Sequence, residues 1–285
     1  MSKETIGPKI KQFRKKRKLT QDELAESLGY SGKSVISHIE KGDADMTYEK
    51  ILLLLRTYMI DANELFEVEK IDKQLNDLET ERKKDKKVAV YIHGLYGSHE
   101  EADDYSYLKN EYDVVGLDYQ DSNPWELKDI IRNEFNKITK GYKEVIVIAN
   151  SIGAFYSYEY LSDYDIKHAF FISPVTNMHQ LILNIMSSNN ISLEKLKDEK
   201  VIKIDDKTTI SYEYLKYLEK HKDNWETPTD ILYGEKDNNI VSINDISSFL
   251  VSHSNARLTV KQGAEHYFHT NEEKQFIKKW ILKTL

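Results

Sequence analysis

The chain has 285 residues, 40% of them hydrophobic and 31% charged, with a formal net charge of -7. That is the balance of a soluble globular protein, long enough for one large domain or for a small and a medium one. It holds no cysteine, which excludes disulfides, thiolate metal sites and a cysteine nucleophile. The basic start Met1–Lys18 is unlike a signal peptide, and the longest apolar run, Ile51–Leu55, is far too short for a bilayer span, so a cytoplasmic protein with no membrane partner is expected. The abundance of Lys, Ile, Asn and Tyr fits an AT-rich bacterial genome.

Charge is uneven along the chain. Lys3, Lys9, Lys11, Arg14, Lys15, Lys16, Arg17 and Lys18 face only Glu4. Counting on to Lys70 brings the balance close to neutral, so the acidic excess lies beyond it and a polyanion partner suits the N-terminus alone. Residues 1–67 read as short helices: Ile10, Phe13, Leu19, Leu24, Leu28, Val35, Ile36, Ile39, Ile51, Leu54 and Leu55 recur at helical spacing, with no strand signal. Thr20-Gln21-Asp22-Glu23 is a capping box opening a helix that ends near Gly29. A second helix is expected from Ser31 to Lys41, stopped by Gly42. Two short helices joined by a tight turn form a helix-turn-helix unit.

The text Leu19-Thr20-Gln21-Asp22-Glu23-Leu24-Ala25 followed by Ile39-Glu40-Lys41-Gly42, within about sixty residues, resembles the Xre/Cro-repressor type of helix-turn-helix domain. The turn at Tyr30-Ser31-Gly32 is one residue longer than the common form, which would shift the register of the recognition helix. The resemblance implies double-stranded DNA as partner, with Gln21 at a phosphate or base edge and Lys33, Ser34 and His38 on the groove face. Physical reasoning agrees in part. Lys33 lies near a helix N-terminus, where donors meet phosphates or guanine edges. With Val35, Ile36 and Ile39 turned inward, Ser34, Ser37 and His38 are left outward. Any one basic residue between 9 and 18 is equally well a solvated helix face, and a protein-binding module on the same scaffold is the other reading of the domain. Such domains bind paired half-sites as dimers, so a homodimer is expected.

Residues 68–86 are mostly charged and read as a helical linker. Val68, Ile71, Leu75 and Leu78 form a two-heptad stripe, shorter than a coiled coil usually requires, so a solvated helix and a short dimerising helix both remain open.

From Lys87 the texture changes. Val88–Ile92, Val114–Leu117, Val145–Ile148, Ala169–Ile172, Ile231–Tyr233 and Arg257–Val260 are short apolar or β-branched runs separated by helical periods. This predicts an α/β domain over 87–285 with a mostly parallel sheet covered on both faces. About fifty residues, 175–227, read instead as helices and loops inserted between two strands.

Val145–Gly153 is a buried strand running into a sharp turn, with Ser151 at the turn, Ala149 where Gly is commoner, and Gly153 behind it. Small flanking residues let such a turn push the hydroxyl above the sheet. Alone, Ala149-x-Ser151-x-Gly153 is a weak signal. His93-Gly94 ends an earlier strand, Gly234–Ile240 with Asp237 follows another, and Gly263-Ala264-Glu265-His266 follows the last. The chain order Ser, Asp, His resembles that of the α/β-hydrolase superfamily over residues 87–285, in a shortened form lacking the first two strands and carrying a helical cap at about 175–227.

The resemblance implies a serine hydrolase, carboxylesterase-like, with catalytic triad Ser151, Asp237 and His266: hydroxyl nucleophile, imidazole base and orienting carboxylate. The backbone N–H groups of Leu95 and Ile152 would form the oxyanion hole, with Tyr96 as the alternative to Leu95. His93 reads as a loop-fixing residue, and His269 is a rival base set three residues beyond the expected position. His99, Glu100, Glu101, Asp103 and Asp104 suit the start of a helix better than a metal, so neither metal nor cofactor is expected. Leu181, Leu183, Ile185, Met186, Tyr212, Tyr214 and Tyr217 either line an acyl or aromatic pocket or form the core of the cap. The expected function is a DNA-binding protein whose serine hydrolase domain cleaves a small ester through an acyl-enzyme. The alternative is a transcription regulator whose hydrolase fold senses a ligand without turnover.

Overall fold

The computed structural model describes residues 6–62, 68–120, 124–206, 208–220, 224–237 and 240–285. The chain divides into two compact units, 1–79 and 80–285.

The first unit is helical, with α1 (Gly7–Lys16), α2 (Gln21–Ser27), α3 (Lys33–Lys41) and α4 (Tyr48–Tyr58). The Thr20 capping box forms on both sides: the Glu23 N–H donates to Thr20 Oγ1 and the Thr20 N–H to Glu23 Oε2. Gly42 closes α3 in the left-handed conformation. The α3 start differs from expectation by two residues, because Gly32 occupies the N-cap and no side chain caps the helix. Ile10, Phe13, Leu24, Leu28, Ile36, Ile39 and Leu54 form the core, with Val35 only partly buried. Helix α5 (Val68–Lys83) follows, and its Leu75 and Leu78 are exposed.

The second unit is built on six parallel strands: β1 (Lys87–Ile92), β2 (Tyr112–Gly116), β3 (Glu144–Asn150), β4 (His168–Ile172), β7 (Thr229–Gly234) and β8 (Ala256–Lys261), in the order β2-β1-β3-β4-β7-β8. The six apolar runs of the sequence are these strands. Alternate residues serve opposite faces. Val88, Val90, Ile92, Val147 and Ala149 pack with Ile131 and Phe135 of α6 (Pro124–Thr139), Phe155 of α7 (Ile152–Tyr160) and Phe249 of α11 (Ile243–Ser252). Ala89, Tyr91, Ile146, Ile148 and Phe170 pack with Tyr105 of a 3₁₀ segment (His99–Leu108) and Trp280 of α12 (Asn271–Thr284). Burial on both faces explains why the four inner strands, β1, β3, β4 and β7, read as continuous apolar runs. The chain leaves β1 toward β2 on one side and returns to β3 on the other, so a crevice opens at the carboxyl ends of β1 and β3.

The insertion contains α8 (Met178–Ser188), α9 (Leu193–Glu199), β5 (Val201–Lys203), β6 (Thr209–Ser211) and α10 (Tyr212–Leu218). The β5–β6 antiparallel pair corrects the expectation of helices and loops alone. Three-residue strands are too short for a period of two to register in the sequence.

Candidate functional site

Strand β3 is buried until it ends, and the next residue, Ser151, takes φ 51° and ψ -117° before α7 begins. A non-glycine residue in this region is strained and persists only when its surroundings hold it. Here the Ser151 N–H donates to the Ile172 carbonyl at 2.9 Å, and the Ser151 carbonyl accepts from the Val175 N–H at 3.0 Å. Gly153 permits the turn to sit against β1, since a Cβ there would lie 2.4 Å from the Ile92 carbonyl oxygen and 2.5 Å from that of His93. Gly94 does the same for the loop after β1, where a Cβ would stand 3.2 Å from Ser151 Cβ.

The loops after β7 and β8 bring two further side chains to this point. His266 Nε2 lies 3.0 Å from Ser151 Oγ, and its Nδ1 lies 2.6 Å from Asp237 Oδ2. Asp237 and His266 are both buried. The second Asp237 oxygen accepts from the Val241 N–H at 3.3 Å, and the Tyr233 hydroxyl donates to the Asp237 carbonyl at 2.6 Å. A carboxylate only accepts, so the neutral imidazole carries its proton on Nδ1 and presents Nε2 to the serine hydroxyl. His269 is exposed, with Nδ1 2.9 Å from the Tyr267 carbonyl oxygen.

The Ile152 N–H opens α7, where no intrahelical acceptor exists, and Leu95 follows Gly94 in the adjoining loop. Tyr96 beside it has φ 65°. His93 stacks on Tyr119 at 4.0 Å, its Nδ1 lies 2.9 Å from the Gly94 carbonyl oxygen, and the Tyr119 hydroxyl donates to the His93 carbonyl at 2.5 Å. His93 and Tyr119 thus fix the loop that carries Leu95. In the acidic 3₁₀ segment, His99 faces Asp118, Asp104 pairs with Lys274, and Glu101 accepts from Tyr91.

One cavity opens at this point, and a second adjoins it through Leu95, Tyr96 and Gly97. The first, of about 540 Å³, is lined by Ser151 and His266. The other, of about 1060 Å³, is lined by Leu95 and Ile152 together with cap residues. Leu181, Ile185 and Tyr214 line this second cavity, whereas Met186 belongs to the core and Leu183, Tyr212 and Tyr217 pack against it.

In the helical unit Lys33, Ser34 and His38 are exposed and Ser37 is half-buried. Lys33 Nζ lies 3.7 Å from Asp22, and His38 Nδ1 lies 3.5 Å from Asp43. Gln21 is held inward at its amide, which donates to Glu40 Oε2 at 2.9 Å. Arg14, one of the basic residues of the first helix, bonds both Glu40 oxygens at 2.5 and 3.0 Å and the Leu19 carbonyl at 2.9 Å. Burial opposes ionisation of Glu40, but the bonds from Arg14 and Gln21 outweigh it and lower its pKa. Arg14 is therefore a strut between α1 and α3 rather than a free cation.

Sequence reasoning did not single out Tyr91, Tyr119 or Tyr233, which support the site through their hydroxyls. Each lies in a β strand or just beyond one, at a position that reads as core. Only a polar tip on an apolar body distinguishes them.

Residues 10–65 match the family model described as helix-turn-helix. The remainder has the fold of the α/β hydrolases. Est1E from Butyrivibrio proteoclasticus superposes with a TM-score of 0.53 at 16% identity, covering 70% of this chain and 88% of that one. The same protein with ferulic acid bound gives a TM-score of 0.52 at 15% identity, covering 70% and 90%. Alpha/beta hydrolase domain-containing protein 10 from mouse gives 0.49 at 15% identity over 69% and 90%. At such identities the likeness to Est1E establishes the fold alone. No protein of the curated collection matches the sequence. No helix among the described residues is long and apolar enough to cross a membrane.

Proposed function

We propose that the unit beginning near residue 80 is a serine hydrolase that cleaves a small carboxylic ester through an acyl-enzyme, and that the helix-turn-helix unit binds duplex DNA as a homodimer. The observation that carries the enzymatic reading is the unbroken Ser151–His266–Asp237 hydrogen-bond chain, at 3.0 and 2.6 Å. Ser151 Oγ attacks the ester carbonyl while His266 Nε2 takes its proton. Asp237 holds the imidazole in the competent tautomer and stabilises the imidazolium. The developing oxyanion is met by the N–H groups of Leu95 and Ile152, which need no reorganisation because His93, Tyr119 and Gly153 fix their loops. His266 then protonates the departing alkoxide, and water reverses the sequence to free the acid.

The cap cavity has an aromatic and aliphatic stretch, Trp125, Tyr156, Tyr214, Leu181 and Ile185, beside polar walls at Asp118, Gln120 and Glu213, and that stretch suits an apolar or aromatic acyl group. The neighbour Est1E is known with ferulic acid bound, an aromatic acid of this kind. A fluorophosphonate probe tests the reading directly: it labels the wild type and leaves Ser151→Ala unlabelled. A wild type that stays unlabelled while binding small ligands would make the domain a sensor. For the N-terminal unit, binding to duplex DNA should weaken steeply as salt rises, and Lys33→Ala should weaken it further.

A further inference from the structure

The cavity shared by Ser151 and His266 carries polar groups of its own beside the serine. Three buried side-chain oxygens without a hydrogen-bond partner, Tyr107 Oη, Asn150 Oδ1 and Ser173 Oγ, belong to residues that line it. The carboxylates of Glu101 and Asp104 and the ammonium of Lys274 stand on its walls as well. Asn150 directly precedes Ser151. Ser173 follows Ile172, the residue paired with Asn150 across β3 and β4.

The Asn150 amide is oriented by a relay. Its Nδ2 donates to the Tyr91 hydroxyl at 2.8 Å, and that hydroxyl donates to Glu101 Oε2 at 2.5 Å. Burial, with Tyr105 beside it, drives the Tyr91 phenol far above its usual pKa, so Tyr91 keeps its proton. A hydroxyl with one proton already given to Glu101 can only accept from Asn150. The amide is thereby held with its nitrogen on Tyr91, and Oδ1 is left as a buried acceptor without a partner, on a residue that lines the cavity. Buried polar atoms normally find partners, and three such atoms around one cavity next to the reacting serine call for a polar occupant.

His266 must protonate the leaving group, so the leaving group occupies the cavity that His266 lines. We infer that this cavity is a leaving-group subsite for a polyhydroxylated alcohol, with Asn150 as the specificity-determining residue next to the nucleophile. The inference rests on the serine hydrolase reading above. The cap cavity takes the apolar acid and this one the hydroxyl-bearing alcohol.

The reverse of acylation tests it. In the acyl-enzyme formed from 4-nitrophenyl acetate, an alcohol hydroxyl attacks the acyl carbon. Its proton passes to His266 Nε2 and on to Ser151 Oγ, as the Ser151 Oγ–acyl bond breaks and a new ester is released. Glycerol and 1-propanol have the same carbon skeleton and differ by two hydroxyls. With the full chain, the product ratio at equal concentrations should favour the glyceryl ester by about tenfold, the discrimination expected of one well-made additional hydrogen bond. Asn150→Leu should bring the ratio close to that set by the numbers of hydroxyls alone. Tyr91→Phe, which frees the amide to rotate, should lower the preference several-fold while fluorophosphonate labelling continues. Nitrophenol release with no preference for glycerol, or a preference untouched in both labelled variants, overturns the subsite and leaves the hydrolase standing. No nitrophenol release and no labelling of wild type overturns the hydrolase, and the subsite with it.

Discussion

Both units of this protein bury charged and polar groups, but they close their networks differently. In the helical unit, Glu40 takes bonds from Arg14 and Gln21, and Arg14 adds the Leu19 carbonyl. The network ends on itself and ties together α1, α2 and α3. In the hydrolase-fold unit, the line from Asp237 through His266 ends on Ser151 Oγ, which opens on a cavity. The first arrangement uses ionic bonds to hold a shape. The second leaves one end unspent, and on the proposed function that end is where a substrate atom enters. A buried network's role is thus readable from whether it terminates in protein or in space.

The sharpest way to break this comparison is to cut each network in turn. Ser151→Ala should lower the rate of ester hydrolysis by about 10⁶-fold, and Asp237→Asn by about 10⁴-fold, judged from other triads. A steady-state assay on 4-nitrophenyl esters measures both, and retention of more than a hundredth of the activity in Ser151→Ala would refute the assignment. Glu40→Ala should instead leave ester hydrolysis untouched and destabilise the helical unit by about 3 kcal/mol, because it strands a largely buried guanidinium. Thermal melts followed by circular dichroism separate these outcomes.

A third network sharpens the contrast through pH. Burial opposes ionisation of Asp230, but bonds from His168, Arg257 and Thr284 outweigh this and bring its pKa down to about 2. A carboxylate depressed in the folded state stabilises the fold fully above its unfolded pKa of about 3.9, and loses that contribution as the pH falls toward 2. Asp230→Asn should cost about 2 kcal/mol at neutral pH, in keeping with bonds to a charged group. It should also flatten the decline in stability between pH 4 and 2, as urea titrations at several pH values would reveal. If mutant and wild type lose stability in parallel over that range, Asp230 is not the titrating group.

Smaller effects are expected on the surfaces. Lys33→Ala should weaken duplex DNA binding by about tenfold and reduce the salt slope by about one, with no change in melting. Leu75→Lys combined with Leu78→Lys should alter neither the sedimentation mass nor the stability by more than about 0.5 kcal/mol, since these positions on α5 are exposed. A drop in mass would show that the stripe is a dimer seam after all.

Much of this was legible in the sequence because the signals were local. The four inner strands are apolar runs buried on both faces, the Thr20 box is four residues long, and Ser151 sits in its own turn. His266 and Asp237 were readable only through their order along the chain, since 115 residues separate Ser151 from His266. What escaped depended on partners distant in sequence. Arg14 reads as one cation among many in a basic helix until Glu40 is beside it. Asn150 reads as filler before a serine until Tyr91 and Glu101 fix its amide. The β5–β6 pair escaped because three residues carry no period.

The backbone at position 151 has a consequence of its own. A serine there sits where only glycine is at ease, so the fold gives up conformational comfort at a residue whose side chain lines a cavity. Selection of this protein for heat resistance alone should therefore drift toward glycine at 151, yielding a hardier molecule from which the proposed nucleophile has been bred out.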